Sequence, residues 1–364
     1  METDIQEHGF EYERKVLNRV SRSFALTIPL LPEPLRRTVT NAYLICRIID
    51  TIEDEKDLTM IQKLFFFRKF IQVISGRAPA ERFAQALWPL LTGSTLPEER
   101  DLIANTPLII RNNSTFTLKQ QAAIRRCASV MVQGMSAIQM NKGPHGLRDL
   151  TDLDNYCYHV AGVVGEMLTE LFCEYSVEIA KNRKRLLELA VPFGQGLQMT
   201  NILKDIWDDK NRGFCWLPRS VFSQAGYDLD ELSADRSPEL FVAALSVLID
   251  TALARLRDAL DYTFLIPRHE TGIRKFCLWA IGIAVFTLRK INRKSRFESS
   301  REVKISRRTL KTIIMITNAS VRSNFLLEKL FCLSAGVFPR NPAPGTARAD
   351  EGPGAGIHLK PSTG

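Results

Sequence analysis

The sequence predicts an all-α protein with one domain. Three windows, residues 145–191, 239–266 and 268–338, contain no proline and carry apolar residues at spacings of three and four, the period of an α-helix. No turn dipeptide joins alternating apolar runs, as β-hairpins would require. The other prolines fall where helical windows meet, so we expect about ten helices in a single bundle.

Composition separates the domain from a tail. The chain has 364 residues, of which 45% are hydrophobic, enough for a sizeable core. Residues 1–335 show no break in composition and are assigned to one domain. Residues 336–364 are predicted to be a disordered tail, because they are rich in Pro and Gly and have little to bury.

Charge and cysteine content narrow the functional classes. The formal charge of +9 favours an anionic partner such as a phosphorylated small molecule or an anionic membrane surface, and no nucleic-acid-binding motif accompanies it. The seven cysteines are scattered without a CxxC pair, which excludes a disulfide framework and a zinc site. Because the N-terminus does not have the features of a signal peptide, we expect a cytoplasmic protein. We also expect it to be a monomer that contacts the membrane peripherally.

The most apolar run of the sequence is too short to be a membrane segment. Phe276–Leu288 is apolar and flanked by Lys275 and Arg289. At 13 residues the run is shorter than the roughly 20 needed to cross a bilayer. We therefore expect a buried core helix.

The first predicted helix of interest ends in an acidic cluster. One face of residues 35–54 is apolar at steps of three and four: Leu35, Val39, Ala42, Cys46 and Ile49. Asp50, Glu53 and Asp54 follow, with Asp50 and Asp54 one turn apart beside the apolar stripe. Their carboxylates are expected to point toward the interior.

A second predicted helix, residues 196–209, also ends in an acidic cluster. Four of its residues are each four apart: Leu197, Asn201, Asp205 and Asp209. Asp208 is adjacent. Either cluster alone could be a solvated helix face, but like charges one turn apart repel, and two such clusters indicate a cation that offsets the repulsion.

The donor types identify the cation. Oxygen ligands with no nearby His or Cys suit Mg²⁺, which retains water and bridges one or two carboxylates to substrate phosphates. Two sites facing each other across a helical cavity would hold a diphosphate. The apolar remainder of the cavity would hold an apolar chain.

Four segments, in order, resemble the squalene and phytoene synthases, a family of head-to-head prenyl transferases. They are SRSFALTIPLL at 21–31, YLICRIIDTIEDE at 43–55, YCYHVAGVVGEMLTELF at 156–172 and NILKDIWDDKNRGFCWLP at 201–218. The resemblance implies a single-domain helical isoprenoid-synthase bundle with a central active-site cavity. It also implies condensation of two farnesyl diphosphates to presqualene diphosphate, followed by NADPH-dependent reduction to squalene.

The resemblance assigns the metal and diphosphate ligands. Mg²⁺, or Mn²⁺, would be held by two sets of carboxylates: Asp50, Glu53 and Asp54 on one wall, and Asp205, Asp208 and Asp209 on the other. The substrate diphosphates would meet Ser21, Arg22, Ser23, Arg47, Asn201 and Arg212. Guanidinium groups suit phosphate because their N–H donors can bond to two of its oxygens at once. For Arg22 and Arg47 the alternative is an ordinary structural ion pair.

The resemblance also assigns a catalytic residue and a cavity wall. Tyr156 would move a proton during the first half-reaction, and core packing is the alternative. The cavity would be lined by Phe24, Gly162, Phe193 and Phe276. Aromatic faces stabilise carbocations without reacting with them, although phenylalanines at helical spacing are also ordinary core residues.

Two further segments, 266–277 and 302–308, resemble the squalene-synthase branch of the family. Within the second, EVKISRR, Lys304 and Arg307 would bind NADPH, or NADH. The surrounding Arg289–Lys311 holds ten basic and two acidic residues, which could instead form a solvated face or a lipid-docking patch.

Other products stay open at this point. Trp279, Ala280 and Ile281 depart from the family pattern beside the pocket of the second step. A related synthase would release presqualene diphosphate, dehydrosqualene or phytoene without reduction. A non-catalytic assembly factor of the same fold is a third alternative.

Overall fold

The chain folds into an all-α bundle, as predicted. A computed structural model describes residues 2–21, 23–139, 143–233 and 238–336. These ranges contain helices and no strand, apart from one isolated bridge between Leu147 and Pro218. The predicted tail, except Gly336, lies outside the described residues.

The first half of the chain contains short helices between long ones. Its helices are α1 (Glu2–Val20), α2 (Phe24–Thr27), α3 (Glu33–Asp54), α4 (Met60–Ile74), α5 (Ala80–Leu87), α6 (Pro97–Ala104), α7 (Thr106–Asn113) and α8 (Leu118–Gln139). Prolines at the starts of several of them divide the chain into more helices than the sequence predicts. The predicted stripe of α3 is buried along its whole length.

The second half holds the longest helices. Its helices are α9 (Leu150–Cys157), α10 (Val163–Tyr175), α11 (Val177–Ala180), α12 (Arg183–Asn211), α13 (Arg219–Gln224), α14 (Pro238–Leu265), α15 (Thr271–Arg293), α16 (Ser300–Val303), α17 (Arg307–Ser320) and α18 (Asn324–Ala335). A π-helical turn, Tyr158–Gly162, joins α9 to α10.

Two apolar clusters form the core. One is built mainly from α1–α8 and α10, the other from α12–α15 and the C-terminal helices. Phe193 of α12 packs against both clusters. The long helices therefore hold the two halves together along one shared surface.

Helix α15 is a core helix, although it is longer than its apolar run. At 23 residues it meets the length and composition of a membrane span, and 61% of its most apolar window is buried inside the protein. The sequence argument from length is therefore wrong, because the helix extends beyond Phe276–Leu288 at both ends. Burial against α12, α14, α17 and α18 supports the core assignment instead.

Arg274 ties α15 to its neighbours. Its side chain is fully buried and donates hydrogen bonds to the carbonyls of Thr263, Ile266 and Val321 at 2.7–2.8 Å. A further bond of 2.6 Å reaches Oδ1 of Asn324. The end of α14, the start of α15 and the turn before α18 thus meet at one guanidinium.

Candidate active site

A cavity of about 270 Å³ lies between α3, α10, α12 and α15. Along α3 its lining runs from apolar residues to one carboxylate: Val39, Tyr43, Cys46 and Asp50. Along α12 the lining runs in the same way toward polar residues: Phe193, Leu197, Gln198 and Asn201. Both helices therefore carry the polar part of the lining near their C-terminal ends, an arrangement that suits an apolar ligand with a polar head.

Aromatic rings form much of the wall. Phe24, Phe193 and Phe276 all line the cavity. Each packs on a second ring, with centroids apart by 5.1 Å for Phe24 and Tyr43, 5.6 Å for Phe193 and Tyr262, and 6.2 Å for Phe276 and Phe172. These neighbours fix the rings in place, so the wall is preformed.

Glycines bring α12 against α10, but Gly162 is not one that lines the cavity. A Cβ on Gly194 would lie 2.3 Å from the carbonyl oxygen of Ala161, and a Cβ on Gly165 would lie 2.4 Å from that of Ala190. Both glycines line the cavity, whereas Gly162, which was expected there, packs near Tyr158 and Val191. Gly162 is the last residue of the π turn, whereas Ala161 and Gly165 line the cavity.

Asp50 is the carboxylate that faces the cavity. Burial raises the pKa of Asp50 to about 7, Arg47 opposes the shift, and Asp54 and Glu53 add to it. Glu53 is half-buried, whereas Asp54 is exposed at the end of α3. Of the two carboxylates expected to point inward, the structure therefore directs Asp50 inward and leaves Asp54 at the rim.

Arg47 is held by acidic partners. Its guanidinium pairs with the buried carboxylate of Glu99 and lies 3.8 Å from Asp50. Its Nε has no hydrogen-bond partner. Arg47 therefore forms an ordinary ion pair in this structure, which is the alternative that the sequence analysis gave to a diphosphate contact. Its positive charge also stabilises the ionised form of Asp50.

The second acidic set lies on the last two turns of α12. Burial raises the pKa of Asp205, and Lys204 at 3.2 Å opposes the shift. Asp209 is buried and pairs with Arg212, and Asp208 is half-buried. Lys204 also donates to Oδ1 of Asn201 at 3.3 Å.

Arg212 lies near carboxylates of both acidic sets. Burial works to lower its pKa, but the carboxylates of Asp209, Asp54 and Asp205 outweigh burial and raise it. Asp54 belongs to α3 and the other two to α12. One guanidinium thus lies within electrostatic reach of both acidic helix ends.

Tyr156 lies near both acidic sets. Burial raises the pKa of its phenol well above the usual value, with Glu53, Asp209 and Asp50 adding to the effect. The phenol is therefore protonated at neutral pH and lies near both acidic helix ends. It does not line the apolar cavity itself but sits one turn before Val160, which does.

Trp216 is a neighbour of Tyr156 that the sequence analysis missed. The two rings are stacked at 4.2 Å between centroids with their planes 4° apart. The Trp216 loop is fastened by backbone bonds from Leu147 N to Leu217 O at 2.9 Å and from Cys215 N to Gly143 O at 3.0 Å. Its position in the loop after the second acidic segment was the only available signal.

The carboxylates suit an ion that is completed by substrate. Among the residues described, no three His, Cys, Asp or Glu side chains converge into a ready-made metal site. Mg²⁺ needs no such cage, since it retains water and takes few carboxylates together with phosphate oxygens. The all-oxygen donors at the ends of α3 and α12, with burial raising the pKa of Asp50 and Asp205, fit that ion.

The predicted N-terminal phosphate ligands are partly placed. Ser21 Oγ accepts the backbone N–H of Phe24 at 3.0 Å and so starts α2. Ser23 is exposed. Arg22 lies outside the described residues.

The predicted cofactor ligands lie on the surface. Lys304 and Arg307 are exposed and do not line the cavity. The carbonyl of Lys304 accepts a hydrogen bond of 2.6 Å from Lys290 Nζ, and the neighbouring Val303 is buried in the second core cluster. The backbone of this segment is therefore anchored while both basic side chains face solvent.

The helical bundle and its cavity have the fold of the isoprenoid synthases. A sequence model of the squalene/phytoene synthase family matches residues 17–309. The chain belongs to the squalene/phytoene synthase family.

Curated relatives are squalene synthases of moderate identity. The enzyme of Saccharomyces cerevisiae is 29% identical over 285 residues, which cover 77% of this chain and 60% of the relative. Squalene synthase clz20 of Cochliobolus lunatus is 31% identical over 275 residues, covering 74% and 62%. The match thus spans about three fifths of the length of these relatives.

Solved structures share the fold. TcSQS bound to the ligand BPH1237 superposes with a TM-score of 0.71 at 22% identity, covering 95% of this chain and 94% of that one. A dehydrosqualene synthase superposes with a TM-score of 0.63 at 20% identity, covering 87% and 98%. Squalene synthase HpnC from Alicyclobacillus acidocaldarius gives 0.56 at 20% identity, covering 81% and 96%.

Proposed function

We propose that the protein condenses two farnesyl diphosphates to presqualene diphosphate and reduces that intermediate to squalene. The observation that carries the proposal is the apolar cavity whose polar lining includes Asp50 of α3 and Asn201 of α12, with Tyr156 and Arg212 near the acidic ends of both helices. The squalene synthases among the relatives support the choice of reaction.

The acidic ends would hold the diphosphates through Mg²⁺. Asp50 with Asp54 and Glu53 would serve one site, and Asp205 with Asp208 and Asp209 the other. Bound Mg²⁺ would neutralise charge on the leaving diphosphate. Arg212, which lies near both sets, would donate to a phosphate oxygen once the ions have drawn the carboxylates away from it.

Tyr156 would handle the proton of the first step. The C–O bond of one substrate breaks and releases diphosphate, the second substrate's double bond adds to the resulting cation, and one proton is lost. A phenol that is protonated at neutral pH can donate to the leaving diphosphate and then accept the proton that the carbon skeleton loses. The paired rings of the cavity wall would face the cation and exclude water.

Reduction needs NADPH, which would supply hydride to the rearranged cation. Lys304 and Arg307 would bind its phosphates. Their distance from the cavity lining favours a second candidate function, release of a product without reduction. Dehydrosqualene synthase, one of the structural neighbours, catalyses a reaction of that kind by name.

Incubation of the purified protein with farnesyl diphosphate and Mg²⁺, with and without NADPH, tests the proposal by lipid analysis. Squalene that appears only with NADPH supports it. A C30 hydrocarbon that forms equally in both arms establishes the second candidate. No turnover in either arm overturns both and leaves the assembly-factor alternative.

Lys304→Ala separates the half-reactions. We expect presqualene diphosphate to form at the wild-type rate and to accumulate with NADPH present, because the variant loses only a cofactor contact. Arg296→Ala, another exposed basic residue of the same segment, is the control and should yield squalene normally. Equal losses in both half-reactions would remove the cofactor assignment.

A further inference from the structure

Helices α17 and α18 each expose one stripe of side chains that the core does not use. The apolar members stand far out of the surface: Met315 is 65% exposed, Phe325 69%, Leu326 48% and Leu333 75%. On α18 the exposed positions 325, 326, 329 and 333 follow the helical period. These side chains are therefore one ordered face, not scattered surface residues.

Both helices pack with their buried sides against α15. Ile313 and Thr317 of α17 and Leu327 and Phe331 of α18 are buried against α15. A shallow apolar groove of about 90 Å³ lies between the two helices. The inward faces are thus fixed by α15, and the exposed stripes lie on the opposite sides of the two helices.

Basic residues alternate with the apolar ones. Arg308, Lys311 and Lys329 are exposed on these helices, and Arg322 is exposed in the turn between them. Lys329 Nζ lies 5.5 Å from the ring of Phe325. The one acidic residue in the sequence from Arg307 to Ala335 is Glu328, which is paired with Arg257. The described surface of α17 and α18 is therefore apolar and positively charged, with its single carboxylate neutralised.

We propose that the stripes of α17 and α18 form a docking face for an anionic lipid surface. Protruding Phe and Leu side chains interleaved with Lys and Arg are the chemistry of helices that lie in a membrane interface. A second copy of the chain fits poorly, because two such faces would bring like charges together. The proposal concerns α17 and α18, not the basic segment that precedes them, and does not depend on which product the active site makes.

Co-sedimentation of the full-length chain with vesicles tests this face. The vesicles are phosphatidylcholine alone and phosphatidylcholine mixed with phosphatidylglycerol, each at low and high salt. One variant removes apolar contact, Phe325→Ser with Leu333→Ser, and a second reverses charge, Arg322→Glu with Lys329→Glu. Circular dichroism melting checks that each variant is folded, and either variant alone carries the test.

Matched controls are available elsewhere on the surface. Ile61→Ser with Leu118→Ser removes two apolar side chains that are 80% and 84% exposed. Arg68→Glu with Lys119→Glu reverses two exposed charges on α4 and α8. Each control repeats the chemistry of one test variant away from α17 and α18.

We expect the wild type to bind the anionic vesicles and to lose binding in high salt. Both test variants should bind about tenfold more weakly, and both controls should stay within about twofold of the wild type. Equal binding to neutral and anionic vesicles would overturn the proposal, as would controls that lose as much as the test variants. A wild-type dimer that the Phe325 variant dissociates, seen by light scattering, would assign the face to a second copy instead.

Discussion

The hydroxyl of Tyr156 can be removed without disturbing its ring, because the stack on Trp216 is made by the ring faces at 4.2 Å. We expect Tyr156→Phe to lower kcat for farnesyl diphosphate by about 10²- to 10⁴-fold, the usual worth of general acid–base help. KM should change little, since packing is kept. Steady-state kinetics on presqualene diphosphate formation measures both.

Substitutions at Tyr158 and Trp216 provide the controls for this result. Tyr158→Phe is the control, because its hydroxyl reaches Glu166 at 3.3 Å and not the acidic helix ends. Trp216→Phe should retain more activity than Trp216→Ala if Trp216 acts by positioning the Tyr156 ring. Wild-type kcat in Tyr156→Phe would make Tyr156 a packing residue.

Asp50 contributes a half-buried charge as well as a candidate ligand. Asp50→Asn should reduce turnover by about 100-fold or more at limiting Mg²⁺, because one anionic oxygen donor is lost. The free energy of unfolding should hold or rise by about 1 kcal/mol, since a desolvated carboxylate beside Asp54 and Glu53 is removed. Mg²⁺ titrations of activity and urea unfolding measure the two effects.

Asp57→Asn is the matched control, because Asp57 is exposed beyond the end of α3. Its turnover should equal that of the wild type. An active Asp50→Asn enzyme at limiting Mg²⁺ would contradict the assignment of the α3 carboxylates to metal.

At the scale of elements, Arg274 should be the costliest single side chain to lose. Arg274→Met leaves buried carbonyls of Thr263, Ile266 and Val321 without a donor. We expect a loss of about 3 kcal/mol or more in the free energy of unfolding. Urea denaturation measures it, with the half-buried neighbour Lys275→Met as control. Equal midpoints for the two variants would mean that water satisfies these carbonyls.

The helical period was predictable where one face is buried and the helix is regular. The stripe of α3 appears in the sequence as steps of three and four, and the structure buries it. Gly162 was assigned to the cavity by the family resemblance and not by the helical period, which the π turn Tyr158–Gly162 interrupts. The structure places Gly165 and Gly194, not Gly162, in the cavity lining.

At the scale of the whole molecule, Glu13 makes stability depend on pH. It is buried at 1% exposure, accepts a 2.6 Å bond from Asn41, and burial raises its pKa to about 8. Because the folded pKa exceeds the ordinary value near 4.5, the stabilising protonated form is complete below about pH 4.5 and is lost as the pH rises through about 8. The slope is at most about 1.4 kcal/mol per pH unit in that window.

Glu13→Gln removes this titration. We expect the variant to match the wild type near pH 5 and to exceed its stability at pH 9 by a few kcal/mol, measured by urea unfolding at both values. Glu11→Gln on the exposed side of α1 should show no such divergence. Parallel curves for Glu13→Gln and the wild type would show that Glu13 is not protonated in the fold.

Contacts between distant parts of the chain set the limit of sequence reasoning about the site. Glu99 is 52 residues from Arg47, and Trp216 is as remote from Tyr156. Motif spacing placed the acidic residues on helix ends, since that arrangement is local. It could not place their partners, because only tertiary packing brings those residues together.

Helix α15 has no free side. Phe276 and Ala280 face the cavity, Ile281 and Gly282 face the groove between α17 and α18, and no residue from Thr271 to Lys290 is exposed. Even a methyl group on Gly282 would meet Ile313 at 2.7 Å. Most helices have one exposed stripe where substitutions are neutral, but none of the twenty residues 271–290 of α15 is exposed. Sequence changes in α17 and α18 and sequence changes in the cavity wall must therefore both remain compatible with these same twenty residues.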